Sequence, residues 1–176
     1  MILSGDNTYT GATTVTGGIL EITGTIGKSA SASVSAGAVL YLGGGTLGVT
    51  GALTNNGIVK LAGAASLTVT GTFTNNGVLD LINGPQTLPA KFVNNGTVLR
   101  SSSVQVQQLA LNGSSFTLTV QGYAQHTYQL QRATSLAAPI TWSNIGAPQT
   151  GSGTPLTFSD PSTSGSNGFY QVLVSP

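Results

Sequence analysis

Catalysis needs titratable or nucleophilic groups that converge, and this 176-residue chain holds few to bring together: Asp6, Glu21, Asp80, Asp160 and the single His126. Its cations, Lys28, Lys60, Lys91, Arg100 and Arg132, are as widely scattered. His126, flanked by Tyr123 and Tyr128, has the type for a general base or a sugar ligand. No carboxylate or second histidine lies near it in sequence, so a solvated histidine at a strand start is the simpler expectation. Trp142 has the flat face a sugar stacks on, although a lone Trp in a small β module more often fills its core. Tyr123, His126 and Trp142 are therefore the candidate ligand-binding residues, with a glycan as the ligand class. Asp6-Asn7 supplies too few oxygens for calcium. Gly43-Gly44-Gly45 is not followed by a helix and reads as a chain corner rather than a phosphate loop. No catalytic residue, metal site or cofactor is expected.

Composition narrows the partners. Only 5% of residues are charged and the formal net charge is +1, against about 25% charged in ordinary domains. Five dispersed cations make no electrostatic footprint for a phosphate backbone, so nucleic acid is not an expected partner. The longest apolar stretch, Ala36 to Gly45, falls short of the roughly 20 residues of a membrane-spanning helix. The chain has no cysteine, which is compatible with either redox compartment. Met1-Ile-Leu-Ser-Gly-Asp6 enters a repeat at once and reads as a cut inside a longer protein, with Met1 an added start.

The elements that would position any site follow from an internal repeat. Asn55-Asn56-Gly57, Asn75-Asn76-Gly77 and Asn94-Asn95-Gly96 lie 20 and then 19 residues apart, each followed by a β-prone segment. In that register Leu20, Leu40, Val59, Leu79 and Val98 form one row, and Ile22, Leu42, Leu61 and Leu81 a second. The period-2 alternation of a strand sends both rows to one face and turns Glu21, Tyr41, Lys60, Asp80 and Leu99 outward. A further ladder is expected through Val15, Val34, Leu53, Phe73 and Phe92, and a third through Leu47, Leu67 and, less regularly, Leu88. Asn and Gly suit the corners because both tolerate positive φ, and stacked Asn side chains can bond between rungs. The pattern predicts an all-β parallel solenoid of about five coils of about 20 residues, a rod roughly 20 to 25 Å long at about 4.8 Å per rung. The competing reading takes each Asn-Gly as the hairpin turn of an antiparallel sheet, but phase-locked rows are required only of a solenoid. Glu21 and Asp80 would then stand roughly 14 Å apart, too far for paired-carboxylate hydrolysis. Lys60 and Asp80 would occupy adjacent rungs and face solvent, contributing about 0 to 1 kcal/mol.

The run Asn7-Thr8-Tyr9-Thr10-Gly11, then Thr13-Thr14-Val15, then Gly18 before Leu20, resembles the autotransporter-associated β-strand repeat. The resemblance is close over residues 3 to 22, and the coils to about residue 100 look like degenerate copies. It implies a right-handed parallel β-helix in the passenger of a secreted or cell-surface bacterial protein. It also implies a terminal membrane barrel ending in an aromatic residue, whereas this chain ends Phe169-Tyr-Gln-Val-Leu-Val-Ser-Pro176.

Beyond about Val104 the period is lost, and strands are expected at 115–121, 127–132, 140–145, 156–158 and 169–174. The expected organisation is thus a solenoid over residues 1–103 and a small antiparallel β-sandwich over 104–176. The run from Tyr128 to Arg132, with Ile140-Thr-Trp142, Asp160-Pro161 and Phe169-Tyr170, resembles the C-terminal modules of large secreted bacterial proteins, which implies a cap or sorting module. The leading expectation is a non-enzymatic passenger or stalk for adhesion, surface display or fibre formation, with self-association through the solenoid end. The alternative is a carbohydrate-binding module in the second domain. Thr50 with Thr70, and Thr54 with Thr74, also repeat at 20, but as two-coil rows they are too short for an ice-binding array.

Overall fold

The computed structural model describes residues 1–85, 87–161 and 168–176. The described residues are all β apart from a 3-10 turn at Ser101–Ser103, and the chain divides into two compact units, Met1–Ser103 and Val104–Pro176.

The first unit is a parallel β-solenoid of about five coils, as the repeat predicts. Coil one contains β1 (Ile2–Leu3), β2 (Asp6–Asn7) and β3 (Thr13–Val15), and coil two β4 (Ile19–Ile22), β5 (Thr25–Ser29) and β6 (Ala32–Val34). Coil three contains β7 (Val39–Gly43), β8 (Thr46–Val49) and β9 (Leu53–Asn55), and coil four β10 (Ile58–Ala62), β11 (Ser66–Val69) and β12 (Phe73–Asn75). β13 (Val78–Leu81), β14 (Phe92–Asn94) and β15 (Thr97–Arg100) complete the rod. Equivalent strands stack into three parallel sheets, ordered β1-β4-β7-β10-β13-β15, β2-β5-β8-β11 and β3-β6-β9-β12-β14.

The first sheet has the predicted register. Leu20 pairs with Leu40, Leu40 with Val59, Val59 with Leu79 and Leu79 with Val98. Leu40, Val59 and Leu79 are at most 1% exposed, because each rung covers the row below it, a burial no single coil can achieve. In the second sheet Leu47 and Leu67 pair as predicted, and Ile26, not foreseen from sequence, extends their inner row. That sheet stops at four strands. Leu88, expected to extend the row, lies outside any strand and packs against the core from the irregular segment between β13 and β14. Pro85 and Pro89 in that segment cannot donate to a ladder.

The third sheet departs from the predicted register. Val15 does pair with Val34, but Leu53 pairs with Ala32 rather than Val34. The two inner rows are Thr13, Ala32, Leu53, Phe73 and Phe92, and Val15, Val34, Asn55, Asn75 and Asn94. The cause is corner length. Coil two passes from Val34 to Val39 through four residues, whereas the Asn-Asn-Gly coils pass from Asn55 to Ile58, or Asn75 to Val78, through two. The shortened corner slides the strand by two positions and brings an asparagine into the core.

Among its described residues the second unit pairs six strands into two antiparallel sheets. One is ordered β16 (Val106–Asn112), β17 (Ser115–Gln121), β20 (Pro155–Asp160); the other is β19 (Ser143–Thr150), β18 (Thr127–Ala133), β21 (Phe169–Ser175). Leu118, Val120, Leu156 and Phe158 of the first sheet share one core with Tyr128 and Leu130 of the second. β17 has its predicted bounds, while the strand expected at 140–145 is shifted to Ser143–Thr150. Ile140 is 43% exposed, and the pairing with β18 continues to Thr150 past a bulge where Gly146 has positive φ. β16 had no counterpart in the expected strands, although Asn112-Gly113, with Gly113 at φ 60°, is a hairpin signal.

Candidate functional site

The corner following the third sheet is the most regular polar feature of the rod. Asn55 and Asn75 are fully buried, and a buried primary amide must find partners for its donors. Asn55 Nδ2 donates to Asn75 Oδ1 (2.7 Å) and to Val78 O (2.9 Å). Asn75 Nδ2 repeats the arrangement one rung on, donating to Asn94 Oδ1 (2.7 Å) and Thr97 O (3.1 Å). Asn55 Oδ1 also accepts from Gly57 N–H (3.1 Å). A second ladder runs outside the first: Asn76 Nδ2 donates to Asn56 Oδ1 and Asn95 Nδ2 to Asn76 Oδ1, both at 2.9 Å. The stacking of asparagines anticipated from sequence is present as two ladders, one buried and one exposed.

The glycines of these corners serve a different purpose from the one expected. Gly18, Gly37, Gly44 and Gly63 have positive φ, but Gly57, Gly77 and Gly96 do not. A Cβ on Gly77 would instead collide with the Gly57 carbonyl oxygen, and one on Gly96 with that of Gly77. Glycine is needed for close approach between rungs. Gly44 does make the corner expected of the Gly43-Gly44-Gly45 cluster, with φ 85°.

The outward face of the third sheet carries a continuous hydroxyl row. Thr14 pairs with Ser33, Ser33 with Thr54, Thr54 with Thr74, and Thr74 with Val93. Ser33 Oγ donates to Thr14 Oγ1 at 3.3 Å. Four hydroxyls therefore stack at the rung spacing, where the sequence suggested only Thr54 and Thr74; the 19- and 21-residue offsets of the earlier coils hid the others. Beside the row stands the outer ladder of Asn56, Asn76 and Asn95, making a neutral, hydrogen-bonding face.

On the first sheet's outward row the structure corrects the expectation of solvation. Lys60 and Asp80 occupy adjacent rungs as predicted, but they are only 4% and 2% exposed. The Lys60 Nζ lies 5.4 Å from the Tyr41 ring centroid on the preceding rung, with Asp80 on the following one. Asp80 Oδ1 accepts from Ile82 N–H (3.1 Å). Burial pushes the Lys60 ammonium below its usual range and the charge of Asp80 opposes that. Burial, and secondarily Glu21, pushes the Tyr41 hydroxyl up. Glu21 and Asp80 are separated by the rungs of Tyr41 and Lys60, so they form no catalytic pair.

His126 does stand immediately before β18, but it is 1% exposed rather than solvated. Its Nδ1 lies 3.2 Å from Ser175 O, and its ring meets Tyr128 edge-on at 6.5 Å. The Tyr128 hydroxyl accepts from Tyr123 N–H (2.8 Å), so Tyr123 and His126 share one neighbour. Trp142 is half-buried and precedes β19 at its Ser143 end, where Arg132 pairs with Ser143. His126 adjoins the opposite end of β18, where Thr127 pairs with Thr150. The length of β18, about 20 Å at 3.3 Å per residue, separates Trp142 from the other two. Asp160 is engaged elsewhere, by Arg132 Nη1 (3.4 Å) and the Tyr170 hydroxyl (2.9 Å), while the Tyr170 ring stacks on Phe116 at 3.9 Å. These contacts bridge the two sheets of the second unit. Burial and the bond to Asp160 raise the Tyr170 pKa.

Among the described residues no three His, Cys, Asp or Glu side chains gather as a metal site would require. No helix among them is long and apolar enough to cross a membrane. No curated protein and no solved structure matches the chain. Residues 1–22, spanning β1 to β4, do match the family model described as passenger-associated-transport-repeat, and with the stacked coils that follow they make this chain similar to an autotransporter passenger repeat protein.

Proposed function

We propose that the chain is a structural passenger or stalk segment of a secreted or cell-surface protein, making contact through the hydroxyl- and amide-bearing outer face of its third sheet rather than through a pocket. The observation that carries this reading is the filled interior of the solenoid. Leu40, Leu42, Leu47, Leu53, Val59 and Phe73 are all fully buried, so the interior of the rod is packed with side chains and its outer sheet faces are the surfaces it offers for contact. The passenger-associated-transport-repeat at residues 1–22 supports an exported location. Adhesion through Thr14, Ser33, Thr54 and Thr74 with Asn56, Asn76 and Asn95 would rest on many weak neutral hydrogen bonds in register, each contributing about 0.5 to 1.5 kcal/mol.

Two measurements test this. Immunogold labelling of the source cells should place the antigen outside the cytoplasm, and a cytoplasmic antigen would overturn the passenger reading. Beads coated with the chain should adhere to glycan or cell surfaces, with a Thr54→Lys, Thr74→Lys double variant losing most of that adhesion. Adhesion that survives the double variant but is lost on Trp142→Ala would instead assign it to the second unit.

A further inference from the structure

The second unit leaves β16 at the edge of its sheet. β16 pairs only with β17 among the described residues, so alternate residues along its other side direct N–H and C=O groups outward. Leu109 pairs with Leu118, which is 4% exposed in the core, and Leu111 pairs with Phe116. Directly opposed residues share a face, so Leu109 and Leu111 point to the core side of their sheet. They are nevertheless 60% and 66% exposed. Among the described residues the opposing sheet has three strands, β19-β18-β21.

Two other edges in this unit carry devices that discourage pairing, whereas β21, Phe-Tyr-Gln-Val-Leu-Val-Ser, is an edge with neither proline nor charge but without the self-complementary order of β16. β20 begins at Pro155 and ends at Asp160, and β19 contains Pro148 beyond its Gly146 bulge. β16, Val-Gln-Gln-Leu-Ala-Leu-Asn, has neither proline nor charge. Its sequence is also self-complementary. An antiparallel copy related by a two-fold axis at Ala110 would set Leu109 against Leu111, Ala110 against Ala110 and Gln108 against Asn112. The four leucines would then meet on one face, with amides opposite amides and no like charges opposed.

We propose that β16 is a self-association edge, through which two copies of this chain join as a continuous six-stranded antiparallel sheet. Its size sets the strength. Seven residues at about 3.4 Å make an edge of about 24 Å, and a sheet about 10 Å deep gives on the order of 250 Å² per copy. Stable interfaces bury about 800 Å² per partner, so the pairing is concentration-dependent rather than obligate. It is independent of the passenger reading, which is tested by location and adhesion.

Sedimentation velocity of the full chain from about 5 to about 500 µM is the direct test, since a dimer with a dissociation constant of about 50 µM passes from mostly monomer to mostly dimer across that range. The weight-average mass should climb from 17.6 kDa toward twice that value. Leu109→Lys with Leu111→Lys should hold the mass at monomer throughout, with an unchanged far-UV spectrum. The wild-type chain has no cysteine, so an Ala110→Cys variant should cross-link between copies on oxidation, while Gln108→Cys, roughly 14 Å from its own counterpart in this register, should not. A wild-type chain that stays monomeric at the highest concentration overturns the proposal. Association that persists in the double lysine variant also overturns it and moves the contact to another surface, such as the solenoid end. Equal cross-linking of both cysteine variants overturns the register.

Discussion

Replacing Asn75 by alanine tests the inner amide ladder most directly. Asn75 accepts from Asn55 and donates to Asn94 Oδ1 and Thr97 O, so the change removes three hydrogen bonds from a fully buried side chain. At about 1 kcal/mol net for each bond, plus a modest void, the expected loss is about 3 to 4 kcal/mol. For a unit of this size that lowers the melting temperature by roughly 12 to 25 °C. The neighbouring Asn76→Ala removes two comparable bonds from the exposed outer ladder. Water replaces those, and the cost should stay under about 1 kcal/mol. Far-UV circular dichroism with denaturant reports the strands, while Trp142, the only tryptophan, reports the second unit by its emission. If the two variants fall within about 0.5 kcal/mol of each other, burial is not what gives the inner ladder its value and the reasoning fails. Asn75→Asp adds a pH test. The buried carboxylate has no proton to donate toward Asn94 Oδ1 and Thr97 O, so its folded pKa rises above the ordinary value of about 4. Stability of that variant should be greatest below about pH 4 and be lost as pH rises through the folded pKa, opposite in direction to a salt-bridged aspartate.

Three further outcomes follow from particular contacts. Gly77→Ala should cost about 2 kcal/mol or more, because its methyl meets the Gly57 carbonyl oxygen, whereas Gly17→Ala, with open space at Cβ, should change thermal unfolding little. Leu79→Ala empties a site shared by three consecutive rungs and should cost about 2 to 5 kcal/mol in denaturant titration. Tyr170, whose pKa is raised by burial and by its bond to Asp160, keeps its proton in the folded chain after the unfolded chain has lost it. Stability should therefore fall as pH rises above about 10. The Tyr170→Phe variant should show a shallower alkaline decline in melting temperature, and an identical decline in both proteins would show that Tyr170 is not its source.

Sequence alone determined whatever depends on local alternation and on repeat length. Leu20, Leu40, Val59, Leu79 and Val98 could be read as one row because period 2 fixes a face and the 19- to 20-residue recurrence fixes the rung. The opening Asn7 to Leu20 pattern indicated the passenger repeat for the same reason, since its turn and strand residues are contiguous. Tertiary structure decided what depends on how many residues a corner uses. The two-residue Asn-Asn-Gly corner set Asn55 beside Val34, so the expected row splits: Leu53, Phe73 and Phe92 stack on Ala32, Val15 and Val34 continue into an amide ladder, and four hydroxyls share one face. It also reassigned the role of glycine. At Gly57, Gly77 and Gly96 glycine lets carbonyl oxygens approach from the neighbouring rung, a distance no local motif encodes, whereas at Gly44 and at Asn112-Gly113 it supplies positive φ. Burial of Lys60, Asp80 and His126 belongs to the same class. A charge or imidazole appears solvated in sequence, and only the neighbours assembled around it in three dimensions take its water away.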